Sequence, residues 1–463
     1  MKPSPAFRPF LVLMVLGLTF RALAWWFLMD RPERFLEVDS FSYLNPARAL
    51  AETGRFSVSP DQPEVPERVR TPGYPLWLAF WIKLTGAGVA GLSAGQWLLF
   101  AATLALTYAL GARLWGPRAG LAAAAFVTVD PVNALYGLKI LPEPLATLLT
   151  LVFAWTMLRY LETGGARRFG LAAGTALGLA TLVRPTTLYF LPLLLGFAAW
   201  VHRRDPLRGL LVRLGWLALP FVLLAGGWTL RNYSVAHRFQ FNEIHGCYLY
   251  QWKGAQMVAY RQNIPFSRAQ ALLAERIRAR HPALDALPEE AQSRLYLQEL
   301  KRLIREDPVA ALVTQGQQMA LFFFAPGTTS ALFRLWDPGF RAPGFDVNAP
   351  GPYFQLLREH YPGYLAAVLT GGGYLLVLYF FACLGIRRAC GRESPAWRRG
   401  FLVFALLLVF YIAGVSGVGA GNAQSRMVVG PLIALFAGAG VERWAASRRT
   451  RAGRPDFANS RAL

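Results

Sequence analysis

The chain has 463 residues, of which 54% are hydrophobic and only 16% are charged. Soluble domains carry about a quarter charged residues, so this composition excludes a soluble globular protein and indicates a polytopic membrane protein. The net charge of +22 does not indicate a nucleic-acid partner, because the basic residues cluster in short loops between apolar runs, where they set membrane orientation.

Apolar runs along the chain predict an all-α protein with about ten transmembrane helices. The predicted spans are residues 9–29, 93–114, 119–137, 144–161, 168–183, 186–201, 214–230, 364–386, 400–416 and 427–443. The arginine-rich loops all fall on one side, which the positive-inside rule assigns to the cytoplasm. We therefore expect both termini in the cytoplasm and two long segments on the outer, periplasmic side of the membrane.

Three regions follow from this topology. Residues 1–230 are predicted to form an N-terminal transmembrane module whose first outer loop, 30–92, carries the catalytic residues. Residues 231–363 are predicted to form an outer, partly interfacial helical segment. Within it, residues 308–326 are expected to lie on or dip into the interface, because counting them as a span would invert every later basic loop. Residues 364–463 complete the chain with transmembrane helices and a basic cytoplasmic tail.

Charged side chains collect at the outer ends of the predicted spans and in the first outer loop. Charges near a membrane are costly and therefore informative. On a helix bundle, these positions would converge on one outward-facing cavity. A carboxylate there can act as a general base or hold a hydroxyl, and arginine binds phosphate through a bidentate fork. The set consists of the acids Glu37, Asp39 and Glu143 and the cations Arg70, Lys139, Arg184, Arg231 and Arg426.

Three further residues are candidates for the substrate site. Tyr43 lies four residues after Asp39, and Tyr74 follows Arg70 in the run Arg-Thr-Pro-Gly-Tyr-Pro. His245 is the third, close to a cysteine and an acid. One residue of each of these types makes a weak metal-ligand set.

Several of the charged residues also admit a structural interpretation. Arg184 and Arg231 could extend to the lipid headgroups, and a lysine such as Lys139 is ordinary near the end of a span. Glu143 favours function, because the prolines on both sides of it fix its placement. Arg21, inside the first span, could pair with an outer carboxylate or face a polar interior.

No cofactor is certain from the sequence. Oxygen ligands from Glu37 and Asp39 could hold a divalent metal ion, so metal dependence stays open.

A series of motifs occurs in one order along the chain. The series is Asp39-x-x-x-Tyr43, Ala47-Arg48-Ala49-Leu50 with Gly54, Arg70-Thr71-Pro72-Gly73-Tyr74-Pro75, Leu141-Pro142-Glu143-Pro144-Leu145, Trp228-x-x-Arg231-Asn232-Tyr233, Asn242 with Gly246, and Arg426 with Pro431. In this order the chain resembles the GT-C superfamily of membrane glycosyltransferases. More closely, it resembles glycosyltransferase family 39, which includes protein O-mannosyltransferases and the lipid A aminoarabinose transferase. The resemblance covers nearly the whole chain.

The resemblance implies GT-C architecture and an enzyme of the bacterial cytoplasmic (inner) membrane. Such an enzyme transfers a sugar from a polyprenyl-phosphate-linked donor on the outer face, by a single displacement with inversion. By analogy, Asp39 would be the base or acceptor-positioning acid and Glu143 the second acid, with Arg70 and Arg231 on the lipid phosphate. The chain departs from the family at Ser40, where many relatives have a second acid, and at Arg70-Thr71, where they often have lysine.

The expected partners are a polyprenyl-phosphate sugar donor, a lipid, polysaccharide or protein acceptor, and membrane lipids, with no nucleic acid. The competing interpretation is a transporter or flippase of lipid-linked sugars. Transporters favour inverted repeats and polar residues at the membrane midplane. The sequence has no convincing repeat, and its polar groups lie at the span ends, so it favours an enzyme.

Overall fold

The computed structural model describes residues 6–452, apart from 87, 238, 243–245, 328–354, 356–357, 360, 392–393 and 418–422. This part of the chain contains helices and no β-strand, which confirms the all-α prediction. The first half forms α1 (Phe7–Leu28), α2 (Ser40–Thr53), α3 (Gly73–Thr85), α4 (Val89–Trp115), α5 (Pro117–Val129), α6 (Pro131–Tyr136), α7 (Glu143–Glu162), α8 (Arg167–Val183) and α9 (Phe190–Val201). The second half forms α10 (Leu207–Ala236), α11 (Gly246–Leu249), α12 (Ala255–Gln262), α13 (Phe266–Arg280), α14 (Glu289–Glu306), α15 (Pro308–Phe324), α16 (Pro362–Ala389), α17 (Ala396–Ser416), α18 (Ala423–Met427) and α19 (Gly430–Ala452).

The chain is a multi-pass membrane protein. Of the helices in the described ranges, six are long and apolar enough to cross a bilayer, namely α1, α4, α7, α10, α16 and α17. All ten predicted spans are helical in whole or in part. The predicted span 186–201 is only a 12-residue helix, α9, preceded by a short 3-10 turn. At 1.5 Å per residue, a helix of that length is shorter than the roughly 30 Å hydrocarbon core.

The predicted span 119–137 is not one continuous helix, because it breaks between α5 and α6. Asp130 has an extended backbone, and its carboxylate accepts the N–H of Val132 at 2.9 Å. Pro131, at the first position of α6, lacks an N–H and needs no partner there. The Asp-Pro pair therefore ends α5 and caps α6.

Arg21 faces a polar interior of the bundle rather than a carboxylate of the loops. It is 1% exposed, and its guanidinium donates to the side-chain oxygen of Asn133 at 2.7 Å and to the carbonyl of Gly17 at 3.2 Å. The guanidinium also lies 3.4 Å from the ring centroid of Phe100, a cation–π arrangement. The sequence left open whether Arg21 pairs with an outer carboxylate or faces a polar interior, and the structure shows the polar interior.

Close helix contacts at glycines hold the C-terminal helices together. α16 packs along α19, and α19 packs on α5. At Gly385, a Cβ would overlap the carbonyl oxygen of Phe436, and at Gly440 it would overlap that of Phe381. Small residues allow membrane helices to approach at this distance. These glycines fix the α16–α19 crossing.

The helices from α11 to α15, residues 246–324, form what we call the connecting segment. It has its own apolar cluster, built around Tyr250, Leu273 and Leu300, and a π-helical stretch at Tyr250–Gly254. Lys253 lies in this stretch and is 6% exposed. Its ammonium donates to the carbonyl of Ala311, to Thr314 Oγ1 and to Gln315 Oε1, each at 3.1 Å. Lys253 therefore joins the π-helical stretch to α15.

Lys253 should make the stability of the connecting segment depend on pH. Burial lowers the pKa of Lys253 to about 8, whereas an unfolded lysine titrates near ~10.4. Between these values the unfolded chain binds more protons, so stability should rise with pH from about 8 to about 10.4. Lys253→Met should remove this rise in hydrogen-exchange protection of the segment between pH 7 and 10. The exposed Lys301, on α14, supplies the control: Lys301→Met should keep the wild-type curve. Equal curves for both variants would contradict the assignment.

Candidate functional site

The acid-rich loop after α1 is held by local hydrogen bonds that leave Asp39 exposed. A 3-10 turn at Pro32–Phe35 precedes it, and the carbonyl of Phe35 accepts the N–H of Ile140 at 2.8 Å. Ser40, the first residue of α2, accepts the N–H of Glu37 at 2.8 Å through its hydroxyl. Asp39 is thereby fixed at the start of α2, at the end of the bundle that we call the site end.

Arg70, which lies between α2 and α3, binds three residues at the start of α2. Its Nη2 lies 2.9 Å from Asp39 Oδ1, its Nε donates to Ser42 Oγ at 2.8 Å, and its Nη1 donates to Tyr43 Oη at 2.9 Å. The guanidinium carbon is also 4.4 Å from the centroid of the Tyr43 ring. Glu67 accepts the N–H groups of residues 69 and 70 and so fixes the backbone that presents Arg70. Burial opposes the charge on Arg70, but Tyr43 and Asp39 outweigh it and raise its pKa.

Two tyrosines pack next to this pair: Tyr43, which binds Arg70, and Tyr74, which contacts Tyr43. The rings of Tyr43 and Tyr74 meet edge to face with centroids 5.4 Å apart, and both residues are buried. Burial raises the pKa of both phenols, so each stays protonated at neutral pH and can donate a hydrogen bond. Gly73 allows α3 to begin here, because a Cβ would lie 2.8 Å from the carbonyl oxygen of Leu182.

A second ion pair, between Glu143 and Arg184, lies next to the first. Glu143 begins α7, is 2% exposed and pairs with Arg184 at the end of α8. Gln424 donates to the same carboxylate oxygen at 2.8 Å, and Arg184 donates to Ser425 Oγ at 3.3 Å. The charges of Glu143 and Arg184 also act on the pKa of Tyr43, after burial and Arg70. The two ion pairs therefore share one electrostatic environment.

Lys139 is bound within the protein. It is 1% exposed, and its ammonium lies 3.1 Å from the carboxylate of Glu37. Glu37 and Asp39 are thus turned to different cations rather than to one shared ion. Among the residues with a described position, no group of three or more histidines, cysteines or acids is arranged to hold a metal ion. The geometry of the two acids gives no support to a metal site between them.

Arg231 and Arg426 donate to backbone carbonyls. Arg231 donates to Glu67 at 2.6 Å and to Phe56 at 3.1 Å, both in the first loop. Arg426 donates to the carbonyls of residues 322, 323 and 325, at the C-terminal end of α15, where a cation complements the helix dipole. Neither guanidinium takes part in the Asp39–Arg70 or Glu143–Arg184 pair. His245 lies outside the described residues.

Four residues of the site escaped the sequence analysis. Ser42 and Ser425 are small hydroxyl residues whose partners are distant in sequence, and Gln424 lies two residues before the predicted Arg426. Tyr248, in α11, is 47% exposed. Burial raises its pKa, and the charges of Asp39, Arg184 and Arg70 also act on it, so Tyr248 shares the electrostatic environment of the two ion pairs. Gln424 could have been found from the sequence, because it lies two residues before Arg426. No feature of the sequence pointed to Tyr248.

Comparison with known proteins supports the fold and part of the family resemblance. Residues 69–228 match the family described as dolichyl-phosphate-mannose-protein mannosyltransferase. This range contains Arg70, Tyr74, Lys139, Glu143 and Arg184. In a sequence search, no curated protein matches the chain.

The fold is similar to that of an archaeal oligosaccharyltransferase. The enzyme from Archaeoglobus fulgidus in its apo form has a TM-score of 0.53 and 13% identity, over 98% of this chain and 53% of that one. A structure of the oligosaccharyltransferase AglB from Archaeoglobus fulgidus, in complex with an inhibitory peptide and a dolichol-phosphate, has a TM-score of 0.53 and 10% identity, over 98% of this chain and 52% of that one. This chain thus spans about half the length of these relatives.

A third structure, ArnT from Cupriavidus metallidurans bound to undecaprenyl phosphate, has a TM-score of 0.41 and 16% identity, over 94% of this chain and 79% of that one. The GT-C resemblance expected from the motifs is confirmed by the family match and by the oligosaccharyltransferase fold. The chain has the GT-C fold of membrane glycosyltransferases, and its residues 69–228 match one family of these enzymes.

Proposed function

We propose that the chain transfers a sugar from a polyprenyl-phosphate-linked donor to an acceptor at the site end of the bundle. The observation that carries the proposal is the Asp39–Arg70 pair, in which a carboxylate with a 62% exposed side chain lies 2.9 Å from a guanidinium. Displacing a phosphate from a sugar needs a base for the attacking hydroxyl and a cation for the leaving phosphate. Asp39 and Arg70 supply both, side by side.

Arg70 keeps donors free for a phosphate. A guanidinium has two N–H groups on each terminal nitrogen, and Arg70 uses one on Nη1 for Tyr43 and one on Nη2 for Asp39. The remaining N–H on each nitrogen suits bidentate binding of phosphate oxygens. Arg184, whose side chain is 20% exposed, is the second proposed phosphate contact. The bonds that Arg231, Arg426 and Lys139 already make favour positioning roles for those three.

In the proposed reaction, the acceptor hydroxyl oxygen bonds to the anomeric carbon of the donor sugar while the bond from that carbon to the phosphate oxygen breaks. The hydroxyl proton passes to Asp39 Oδ2, which accepts no hydrogen bond from any residue in the described part of the chain. The bonding electron pair leaves with polyprenyl phosphate, and Arg70 stabilises its negative charge. Asp39 thus acts as the base of this step.

Glu143 positions Arg184 in this account. Gln424 and Arg184 both bind Glu143 Oε1, whereas Oε2 is buried and has no hydrogen-bond partner among the described residues. A carboxylate held in this way keeps the guanidinium oriented.

The helices support two further parts of the proposal: the side of the membrane that the site end faces, and the division of the chain into three regions. α7 runs from Glu143 to Glu162, and at its far end Glu162 pairs with Arg113 and Arg159. The positive-inside rule places such arginines in the cytoplasm, so the site end faces outward, in a bacterial inner membrane by analogy with family 39. The separate apolar cluster of the connecting segment supports treating residues 231–363 as their own region between 1–230 and 364–463.

The donor class is supported by the comparisons. The matched family is described by its dolichyl-phosphate-mannose donor, and the archaeal enzyme of similar fold has been captured with a dolichol-phosphate. Both are phosphates carried on a polyprenyl lipid. We extend that lipid class, and not the sugar, to this chain.

A product assay tests the proposal against transport. Purified protein in liposomes would receive undecaprenyl-phosphate mannose or glucose with a radiolabelled sugar, together with a cell-envelope extract as acceptor. A transferase moves the label from the lipid to an acceptor and releases undecaprenyl phosphate. A transporter or flippase carries the intact lipid-linked sugar across the bilayer and leaves the sugar–phosphate bond unbroken. Translocation without cleavage would overturn the proposal.

A further inference from the structure

The connecting segment presents a row of three aromatic side chains beside the candidate site. The rings of Tyr248 and Trp252 have centroids 5.8 Å apart, and those of Trp252 and Phe266 are 5.3 Å apart. We call these three residues the aromatic row. Each of its rings is at least partly exposed, and the phenol of Tyr248 and the indole N–H of Trp252 have no hydrogen-bond partner in the described chain.

Two members of the row, Tyr248 and Trp252, lie on a side of the 246–254 stretch that the apolar cluster of the segment does not use, whereas Phe266, at the start of α13, packs against that cluster. Tyr250 is fully buried in the apolar cluster of the segment, and Lys253 is buried against α15. Tyr248 and Trp252, four residues apart, occupy the other side and do not belong to that cluster. The packing of the segment therefore needs neither ring in its place.

Tyr248 links the row to the candidate site. The charges of Asp39, Arg184 and Arg70 act on its phenol, so Tyr248 shares the electrostatic environment of the two ion pairs. Trp252 contacts Tyr248, and Phe266 contacts Trp252 in turn. The three rings therefore form one continuous aromatic surface whose first member belongs to the surroundings of the site.

We propose that the aromatic row is the docking subsite for a glycan acceptor, whose successive sugar rings stack on Tyr248, Trp252 and Phe266. The proposal rests on the proposed function, because it names the acceptor class of the same site. Sugar rings have apolar faces that pack on aromatic side chains, while their hydroxyls keep water or polar partners. The donor carries its sugar on a phosphate beside Arg70, and a single sugar there cannot cover three successive rings. An oligosaccharide or polysaccharide can.

Charge argues against the alternative, in which the row is an anchor in the membrane interface. Tyrosine and tryptophan do occupy such interfaces. However, the row starts beside Asp39, whose side chain is 62% exposed, and an apolar lipid layer at that place would have to desolvate the carboxylate. A polyhydroxyl ligand imposes no such cost, since it can hydrogen-bond to it.

The test uses the full-length protein in nanodiscs and three defined probes: mannohexaose, chitohexaose and cellohexaose. Saturation-transfer NMR would measure their binding to wild type, Tyr248→Ala, Trp252→Ala and Tyr260→Ala. Tyr260 is the matched control, because it is a 39% exposed tyrosine on α12 outside the row. At least one hexasaccharide should bind the wild type, and each row variant should weaken it roughly tenfold or more, as loss of a stacked aromatic contact does. Tyr260→Ala should bind as wild type.

Failure of the subsite can be told apart from failure of the proposed function. Binding of undecaprenyl phosphate in vesicles should be unchanged in the row variants, because its proposed contacts are Arg70 and Arg184. If the lipid binds but no hexasaccharide binding depends on the row, the subsite is wrong and the transferase proposal stands. A fluorophore on Tyr248→Cys, with the three native cysteines replaced by alanine, tests the anchor. Quenching of it by brominated lipids would overturn the subsite in favour of a membrane contact.

Discussion

Replacing Asp39 with asparagine is expected to reduce sugar transfer by roughly 10²–10⁴-fold, the usual contribution of a general base. Asparagine keeps an oxygen that can accept the bond from Arg70, so the loop should stay in place. It cannot take a proton from the acceptor hydroxyl. The loss should therefore appear in kcat, with little change in binding of the lipid donor. The measurement is the release of undecaprenyl phosphate from a labelled undecaprenyl-phosphate sugar by purified protein.

The same loop provides the control for this variant. Asp61 is an exposed acid in the loop between α2 and α3, and Asp61→Asn removes one negative charge without touching the Asp39–Arg70 pair. Its rate should equal that of the wild type. Wild-type turnover in a folded Asp39→Asn variant would contradict the assignment of Asp39 as the base.

Replacing Arg184 with glutamine is expected to cause the largest loss of stability. It leaves Glu143, which is 2% exposed, as a buried carboxylate without its cation. Breaking a buried pair in this way costs about 3–5 kcal/mol. The double variant Glu143→Gln with Arg184→Gln buries no charge and should recover most of the lost free energy of unfolding. Thermal unfolding in detergent, followed for the wild type and the variants, measures the effect.

Arg113 supplies the matched comparison for Arg184. It also pairs with a glutamate at an end of α7, but its side chain is 42% exposed, and Glu162 keeps Arg159 as a second partner. Arg113→Gln should therefore cost less than about 1 kcal/mol. Equal losses for the two arginines, or a double variant no more stable than Arg184→Gln, would show that burial of Glu143 does not determine the effect.

The sequence allowed the helical fold to be predicted because apolar runs and basic loops act locally. It placed Asp39, Arg70, Glu143 and Arg184 in one set, and the structure brings these four together. At Asp130 a capping carboxylate and a proline divide the predicted span 119–137 into two helices, although the apolar run continues beyond them. Local rules gave too long a helix at residues 186–201, because apolarity alone does not mark the 3-10 turn before α9.

The partners of the individual arginines could not be predicted, since charge pattern does not say which acceptors lie nearby. Arg231 and Arg426 look like Arg70 in the sequence, yet their guanidinium groups hold backbone carbonyls that are distant along the chain. Tyr248 was missed for a related reason. Its place beside Asp39 depends on how the connecting segment packs, which is a tertiary property with no local pattern.

The central claim is that Arg70 and Asp39 flank the phosphate of a polyprenyl donor at the outer end of the bundle. A cryo-EM map of the protein in nanodiscs with undecaprenyl phosphate tests it most directly. The account predicts phosphate density within hydrogen-bonding distance of the Arg70 terminal nitrogens, next to the open oxygen of Asp39. Density bound instead at Arg231, at Arg426 or among the arginines at the far end of α7 would contradict it.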